Sequence, residues 1–200
     1  MEWIVWGGLL VAILALLALF VILPVRRQAL PMLGSLPDFV LTDQNRQNVT
    51  LDSLRGQVWI ADAIFTRCAG QCPIMSSHMQ ALQDKMPAGL PVKLVSFTTD
   101  PDFDTPGVLK KYAVRYQARD GQWMFLTGSK ADLRHAMVDG LKLGVMDKPP
   151  GERENAVDLF IHSEKFVLID QQGQIRGYYD GENAEGVAET LAAAKTLARP

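Results

Sequence analysis

The sequence holds only two cysteines, and Cys68 and Cys72, four positions apart, are too few and too close to staple a domain. A disulfide-dense scaffold is excluded, which leaves a reactive or metal-binding pair. An excess of positive charge is also missing. Lys and Arg number 20 against 22 Asp and Glu, for a formal net charge of -2. No basic run interleaves with aromatics, so a phosphate backbone finds no electrostatic footprint and nucleic acid is not an expected partner. Internal repeats and low-complexity tracts are absent, which excludes solenoids and long disordered linkers. Finally, no charged residue occurs between Trp3 and Val25.

That last absence is itself a positive feature. At ~1.5 Å per residue the uncharged stretch exceeds the ~30 Å hydrocarbon thickness of a bilayer, so residues 1–27 read as a single transmembrane anchor. Met1-Glu2 supplies no basic n-region and no small-x-small site follows Val25, so the segment reads as uncleaved rather than as a signal peptide. Arg26 and Arg27 follow the span while Glu2 precedes it, a pattern that by the positive-inside rule alone would keep the C-terminal part in the cytoplasm. Long domains translocate largely regardless of such flanking charge. Pro31, Gly34 and Pro37 mark residues 28–37 as a linker, and 38–200 suit one domain with a single core.

Within that domain the hydrophobic period alternates between strand and helix. Asp38 to Thr42 and Val49 to Leu51 flank a polar stretch and read as a hairpin. Val58 to Phe65 is a nearly continuous apolar run, as a central strand covered on both faces should be. Ile74, Met75, Met79, Leu82 and Met86 then fall at helical spacing behind Pro73, whose missing N–H costs nothing in a first turn. Val92 to Phe97 is a second buried strand, with a second helix after Thr105-Pro106. Trp123 to Leu126 and Lys130 to Leu141 repeat the order, Lys165 to Tyr179 is a hairpin turning at Gln171 to Gly173, and Val187 to Leu197 is a closing helix. The result is an α/β sandwich.

The chemistry lies at the first strand-to-helix turn, Phe65-Thr-Arg-Cys68-Ala-Gly-Gln-Cys72-Pro73. A helix N-terminus favours thiolate over thiol, Arg67 should act in the same direction, and Gly70 permits a tight path between the sulfurs. Such a dithiol serves either disulfide exchange or a soft metal such as Cu(I). Thr66-Arg67 beside Cys68 also suits a peroxide-reducing cysteine, although the paired Cys72 argues against that. Of the three histidines, His78 points off the thiol end of its helix and His135 has no partner signal. His162 is expected in a loop just ahead of the Phe166 to Asp170 strand, at the sheet edge. Asp104 or Thr105 should cap the following helix, Asp100 is left over at the sheet edge where α/β sites gather, and Met75 and Met79 belong to the core.

Taken together, Phe65-Thr-Arg-Cys68 with Cys72-Pro73, the Asp100-x-x-x-Asp104-Thr105-Pro106 loop, and His162-Ser163 leading into Phe166 to Asp170 and Gly173 resemble the Sco/SenC family of thioredoxin-like copper proteins. The resemblance runs through nearly the whole soluble domain and implies a thioredoxin-like fold behind the transmembrane helix. It implies copper, Cu(I) or Cu(II), held by Cys68, Cys72 and His162, with Asp100 and Asp104 as a nearby acidic loop. The implied role is a metallochaperone more than an enzyme. It would serve the binuclear copper site of cytochrome c oxidase, with the copper-receiving oxidase subunit, and another copper donor, as partners. The implied location is the bacterial cytoplasmic membrane, single-pass, with the soluble domain facing the periplasm or exterior. The alternative role is a membrane-anchored thiol-disulfide reductase, with Cys68 and Cys72 as its redox-active pair, that keeps a client's copper-ligating cysteines reduced. Ala69 stands where the family commonly has a proline.

Overall fold

The computed structural model describes residues 6–7, 29–87, 89–149, 151 and 160–198, excluding the side chains of Asp147 and Phe160 to His162. Among the described residues no helix is long and apolar enough to cross a membrane. The expected anchor, residues 1–27, lies outside them apart from Trp6 and Gly7.

The unit from Pro31 to Pro200 is built on an eight-stranded sheet. Its strands are β1 (Gly34–Ser35), β2 (Val40–Asp43), β3 (Asn48–Thr50), β4 (Val58–Ile64), β5 (Val92–Thr98), β6 (Trp123–Thr127), β9 (Lys165–Ile169) and β10 (Gln174–Asp180), in the order β1-β10-β9-β4-β5-β6-β2-β3. The centre is parallel: Val58 pairs with Val92 at one end of β4 and β5 and Ile64 with Thr98 at the other, while β6 continues beside β5. Strand β9 runs antiparallel to β4, with Ala61 opposite Val167. A mixed sheet with βαβ units at its centre is the thioredoxin-like arrangement expected.

All seven residues of β4 are buried, as the apolar run requires of a strand covered on both faces. Trp59, Ala61 and Ala63 share one core with Leu133, Ala136 and Met137. By the two-residue period, Ile60, Asp62 and Ile64 face the other side. Helix α1 (Leu51–Leu54) is a short turn capped by Thr50. Helix α2 (Gln71–Lys85) buries Cys72, Met75, Ser76, Met79, Leu82 and Gln83, a stripe at the 3.6-residue period. Both methionines are fully buried core residues, as expected. Helix α3 (Pro106–Arg115) begins on a proline and packs on β6, and α5 (Ala184–Leu197) packs on β4, β9 and β10 and against α2. Helix α5 can lie so close to the sheet because residue 186 is glycine: a Cβ there would stand 2.1 Å from the carbonyl oxygen of Asp180.

Several details differ from the expectation. The 28–37 stretch, read as a linker, contributes β1, which pairs with β10, and Leu36 is buried in the core. The helix expected over Lys130 to Leu141 is α-helical only as α4 (Lys130–Arg134) and widens into a π turn from His135 to Gly140, where the Leu141 amide donates to Ala136, five residues back. Between that turn and β9 a separate two-stranded ribbon, β7 (Val145–Asp147) with β8 (Phe160–His162), has no counterpart in the sequence reading.

Candidate metal centre

Cys68 and Cys72 sit where β4 hands over to α2. Beyond Ile64 the chain turns tightly, with the Cys68 amide donating to the Phe65 carbonyl at 3.2 Å, and α2 begins at Gln71. The two cysteines are not joined by a disulfide; Cys68 is partly exposed and Cys72 buried. A Cβ on Gly70 would meet the Cys68 sulfur at an ordinary 3.9 Å.

The pair is chemically unequal. The Cys68 thiol hydrogen-bonded to it, burial and the charge of Cys68 all push the Cys72 thiol well above its ordinary range. A backbone hydrogen bond at Phe65 opposes the rise and the Asp62 carboxylate adds to it. The expectation of two thiolates favoured by the helix N-terminus therefore fails at Cys72. A helix end contributes about 0.3–1 kcal/mol, whereas full burial can move an ionisable group by about 3–5 pKa units, each near 1.4 kcal/mol. Arg67 does not help either, because its guanidinium is turned to Asp100, with Nε at 3.1 Å and Nη2 at 2.5 Å from Oδ2, and lies over the Phe103 ring at 4.3 Å.

The acidic loop after β5 closes the same edge of the sheet. Asp104, expected as a helix cap, caps nothing: the cap position is Thr105, whose side chain makes no capping bond. Asp104 is fully buried and instead ties two loops together. It accepts hydrogen bonds from the Thr66 amide at 3.1 Å, from the Thr66 hydroxyl, and from the Thr98 hydroxyl at 2.5 Å. Burial raises its pKa above the ordinary carboxylate value, and these donors pull it back. Asp100 receives Arg67, while its amide donates to Thr98 Oγ1 at 3.0 Å. The two aspartates position the thiol loop through their own bonds.

His162 is not in a loop but in β8, where its backbone pairs with Val145. The Ser163 amide donates to Gly144 at 2.9 Å. Two residues separate β8 from β9, which begins at Lys165 and pairs with β4 from Val167 onward. The imidazole itself lies outside the described residues, and among the described ones no three His, Cys, Asp or Glu side chains converge as a metal site. The other histidines are placed elsewhere: His78 Nδ1 is 2.7 Å from the Gly181 carbonyl oxygen, and His135 Nδ1 is 3.2 Å from Asp139 on the surface.

Asp62 escaped the sequence reading. It is a fully buried carboxylate in β4, opposite Ser96 and on the face that carries α2. Its signal was a lone charge inside the apolar run from Val58 to Ile64.

Two thiols within hydrogen-bonding reach of each other, one of them accessible, are a donor set for a soft cation or a disulfide-forming pair. The SCO1/SenC family model matches residues 32–197. A SCO1 protein homolog of Bacillus subtilis (strain 168) is 36% identical over 172 residues, 84% of this chain and 86% of that protein. Among solved structures, a SCO1/SenC family lipoprotein from Bacillus anthracis str. Ames superposes with a TM-score of 0.75 at 31% identity, covering 88% of this chain and 100% of that one. BsSco, described as a member of the Sco family of cytochrome c oxidase assembly proteins in which a disulfide switch was identified, gives 0.73 at 32% identity, with 86% and 98% covered. Yeast Sco1 with copper bound gives 0.62 at 26% identity, with 83% and 90% covered.

Proposed function

Because the chain belongs to the SCO1/SenC family, we propose that it is a copper metallochaperone for the binuclear copper site of a cytochrome c oxidase, carrying copper on Cys68, Cys72 and His162. The observation that carries this reading is the hydrogen-bonded thiol pair at the turn from β4 into α2. Thiolates suit Cu(I), and an imidazole helps hold Cu(II), so a Cys2His set keeps the metal in both states. The oxidase-assembly role of BsSco's family and the copper in yeast Sco1 support it. Its partners are the copper-receiving oxidase subunit and an upstream copper donor. Residues 1–27 anchor the chain as a single span of the bacterial cytoplasmic membrane, and the domain, which already includes β1 (Gly34–Ser35), faces the exterior.

Cargo binding here releases protons. Cys68 beside it and burial push the Cys72 thiol above its ordinary range, and ligation requires the thiolate, so copper affinity should rise with pH. Metal analysis of the full-length protein loaded under reducing conditions tests the reading. Wild type should retain one copper, Cys68→Ser should lose it, and His162→Ala should keep Cu(I) while holding Cu(II) poorly. Wild type with no copper would end the proposal. A C-terminal reporter active only outside the cytoplasm tests the topology.

A second reading, a reductase for a client's copper-ligating cysteines, is favoured by the asymmetry of the pair. The accessible Cys68 suits attack on a client's disulfide to form a mixed disulfide, which the buried Cys72 resolves on losing its proton, releasing the client's two thiols and leaving Cys68 and Cys72 as a disulfide. Restoration of oxidase assembly by a His162→Ala protein that holds no copper would favour it.

A further inference from the structure

Helix α3 carries three cations, Lys110, Lys111 and Arg115, and no acidic residue. Lys110 is taken by Asn45 and Asp120. Lys111 and Arg115 are exposed and have no ion pair among the described residues. Four positions apart, they stand side by side on the helix, where like charges cost about 0.2–0.5 kcal/mol. Val108 continues the same stripe at the i, i+3, i+7 spacing.

The stripe lines a cleft of about 280 Å3 together with Thr66, Arg67, Phe103 and Tyr112. Each of its two aromatic rings has a guanidinium over it: Arg67 lies 4.3 Å from the Phe103 centroid and Arg115 lies 6.0 Å from that of Tyr112. Phe103 is 42% exposed, a large apolar side chain left in water. The acids of the neighbouring loop are already engaged. Asp100 is buried and holds Arg67, Asp104 is buried among its threonine donors, and Asp102 pairs with Lys130. Among the described residues, the cleft therefore presents the charges of Lys111 and Arg115 beside an exposed aromatic ring.

Position gives the patch its use. Thr66 and Arg67 belong to the turn that leads to Cys68, the accessible thiol, and two residues of chain span at most about 7 Å. A polypeptide whose own sulfur meets Cys68 lays its flanking residues on the surface around that thiol, and the α3 stripe borders it. We propose that this cleft docks an acidic segment of the protein that exchanges copper or a disulfide with Cys68. The segment's carboxylates are taken by Lys111 and Arg115 and an apolar side chain by Phe103 and Val108; this rests on the reading of Cys68 as the exchanging thiol. At about 280 Å3 the cleft has room for the side chains of a docked segment, just under the roughly 300–1,000 Å3 of sites built to enclose a small molecule.

The test uses the full-length protein, reduced, copper-free and held in a nonionic detergent. Two capped peptides, Glu-Leu-Cys-Glu and Gln-Leu-Cys-Gln, each carry the cysteine as a thiopyridyl mixed disulfide. The Cys68 thiolate attacks the peptide sulfur, the Cys68–peptide disulfide forms, and thiopyridone leaves and is read by its absorbance. The acidic peptide should react about tenfold faster at low salt and lose that advantage as salt is added. Lys111→Gln with Arg115→Gln should bring the ratio below about threefold, with the rate on the glutamine peptide unchanged, which shows the thiol turn intact. Arg55→Gln with Lys93→Gln removes the same charge at the opposite ends of β4 and β5 and should leave the ratio as it is. Equal rates on the two peptides in wild type, an undiminished ratio without Lys111 and Arg115, or an equal fall in both double variants would overturn the docking patch and leave the exchange reading in place. Failure of Cys68 to react with either peptide would remove both.

Discussion

Arg67 reaches from the loop after β4 to Asp100 in the loop after β5, and the pair closes at 2.5 Å with the carboxylate almost wholly buried and the guanidinium about one-third exposed. The residue ahead of the first cysteine thus belongs to the scaffold of the thiol turn rather than to the electrostatics of the sulfurs.

The two halves of that pair should not be equally expensive to remove. Arg67→Ala strands a buried carboxylate and also bares Phe103, and after allowance for solvent screening it should cost about 1–2 kcal/mol. Asp100→Asn keeps an acceptor for the guanidinium and should cost less. Urea unfolding of both variants checks the order, and a larger loss for Asp100→Asn contradicts it.

Asp104 makes a prediction in pH. Its folded pKa is raised above the ordinary 3.8, so between 3.8 and the folded value the native state holds more protons than the unfolded chain. The contribution of this group to stability is complete below 3.8 and is lost as pH rises through the folded value. Asp104→Asn removes that loss. The stability of the variant relative to wild type should therefore climb with pH across the window, measured as denaturation midpoints at a series of acid pH values. A constant difference would show that burial does not hold the proton.

The thiols should react in order. Brief iodoacetamide treatment of the reduced native protein near pH 8 should give a single adduct at Cys68, with Cys72 modified only after unfolding, because Cys72 is buried and keeps its proton. Peptide mass spectrometry reads the site. Equal early labelling at both positions would contradict the asymmetry.

Gly186→Ala sets helix propensity against close packing. Alanine gains at most about 1 kcal/mol, the helix-interior figure, at this first-turn position, yet its Cβ would stand 2.1 Å from the Asp180 carbonyl oxygen, which is backbone and cannot rotate away. Overpacking at about 1–3 kcal/mol should win. Thermal unfolding should show a lowered Tm, and a raised one would mean that α5 lifts off the sheet at little cost.

The elements legible in the sequence are those whose own residues carry the signal. The apolar run of β4, the period of α2 and the turn at Gln171 to Gly173 depend on local pattern, and each lies within a residue or two of its expected bounds. The thiol pair is legible for the same reason. What escaped depends on partners remote in the chain. Strand β1 is two residues long and is a strand only because β10 lies beside it. Ribbon β7–β8 joins segments separated by a stretch with no alternation, and the placement of His162 in it follows from that pairing. Asp104 looked like a cap because it precedes a proline-led helix, and its actual donors, Thr66 and Thr98, come from two other segments. Arg67 was assigned to the nearest cysteine, yet its partner is 33 positions away.

Among the described residues β7 and β8 pair only with each other and not with the main sheet. A two-stranded ribbon alone is barely stable in water, whereas β4 and β5 open only with the whole domain. Val145 packs the ribbon against the core, yet with no ladder to the main sheet among the described residues its amides should exchange with solvent faster than those of Ile60 or Val95. The proposed copper site would then combine two clocks, with sulfur donors that last as long as the fold and a nitrogen donor able to depart and return many times within the lifetime of the folded state.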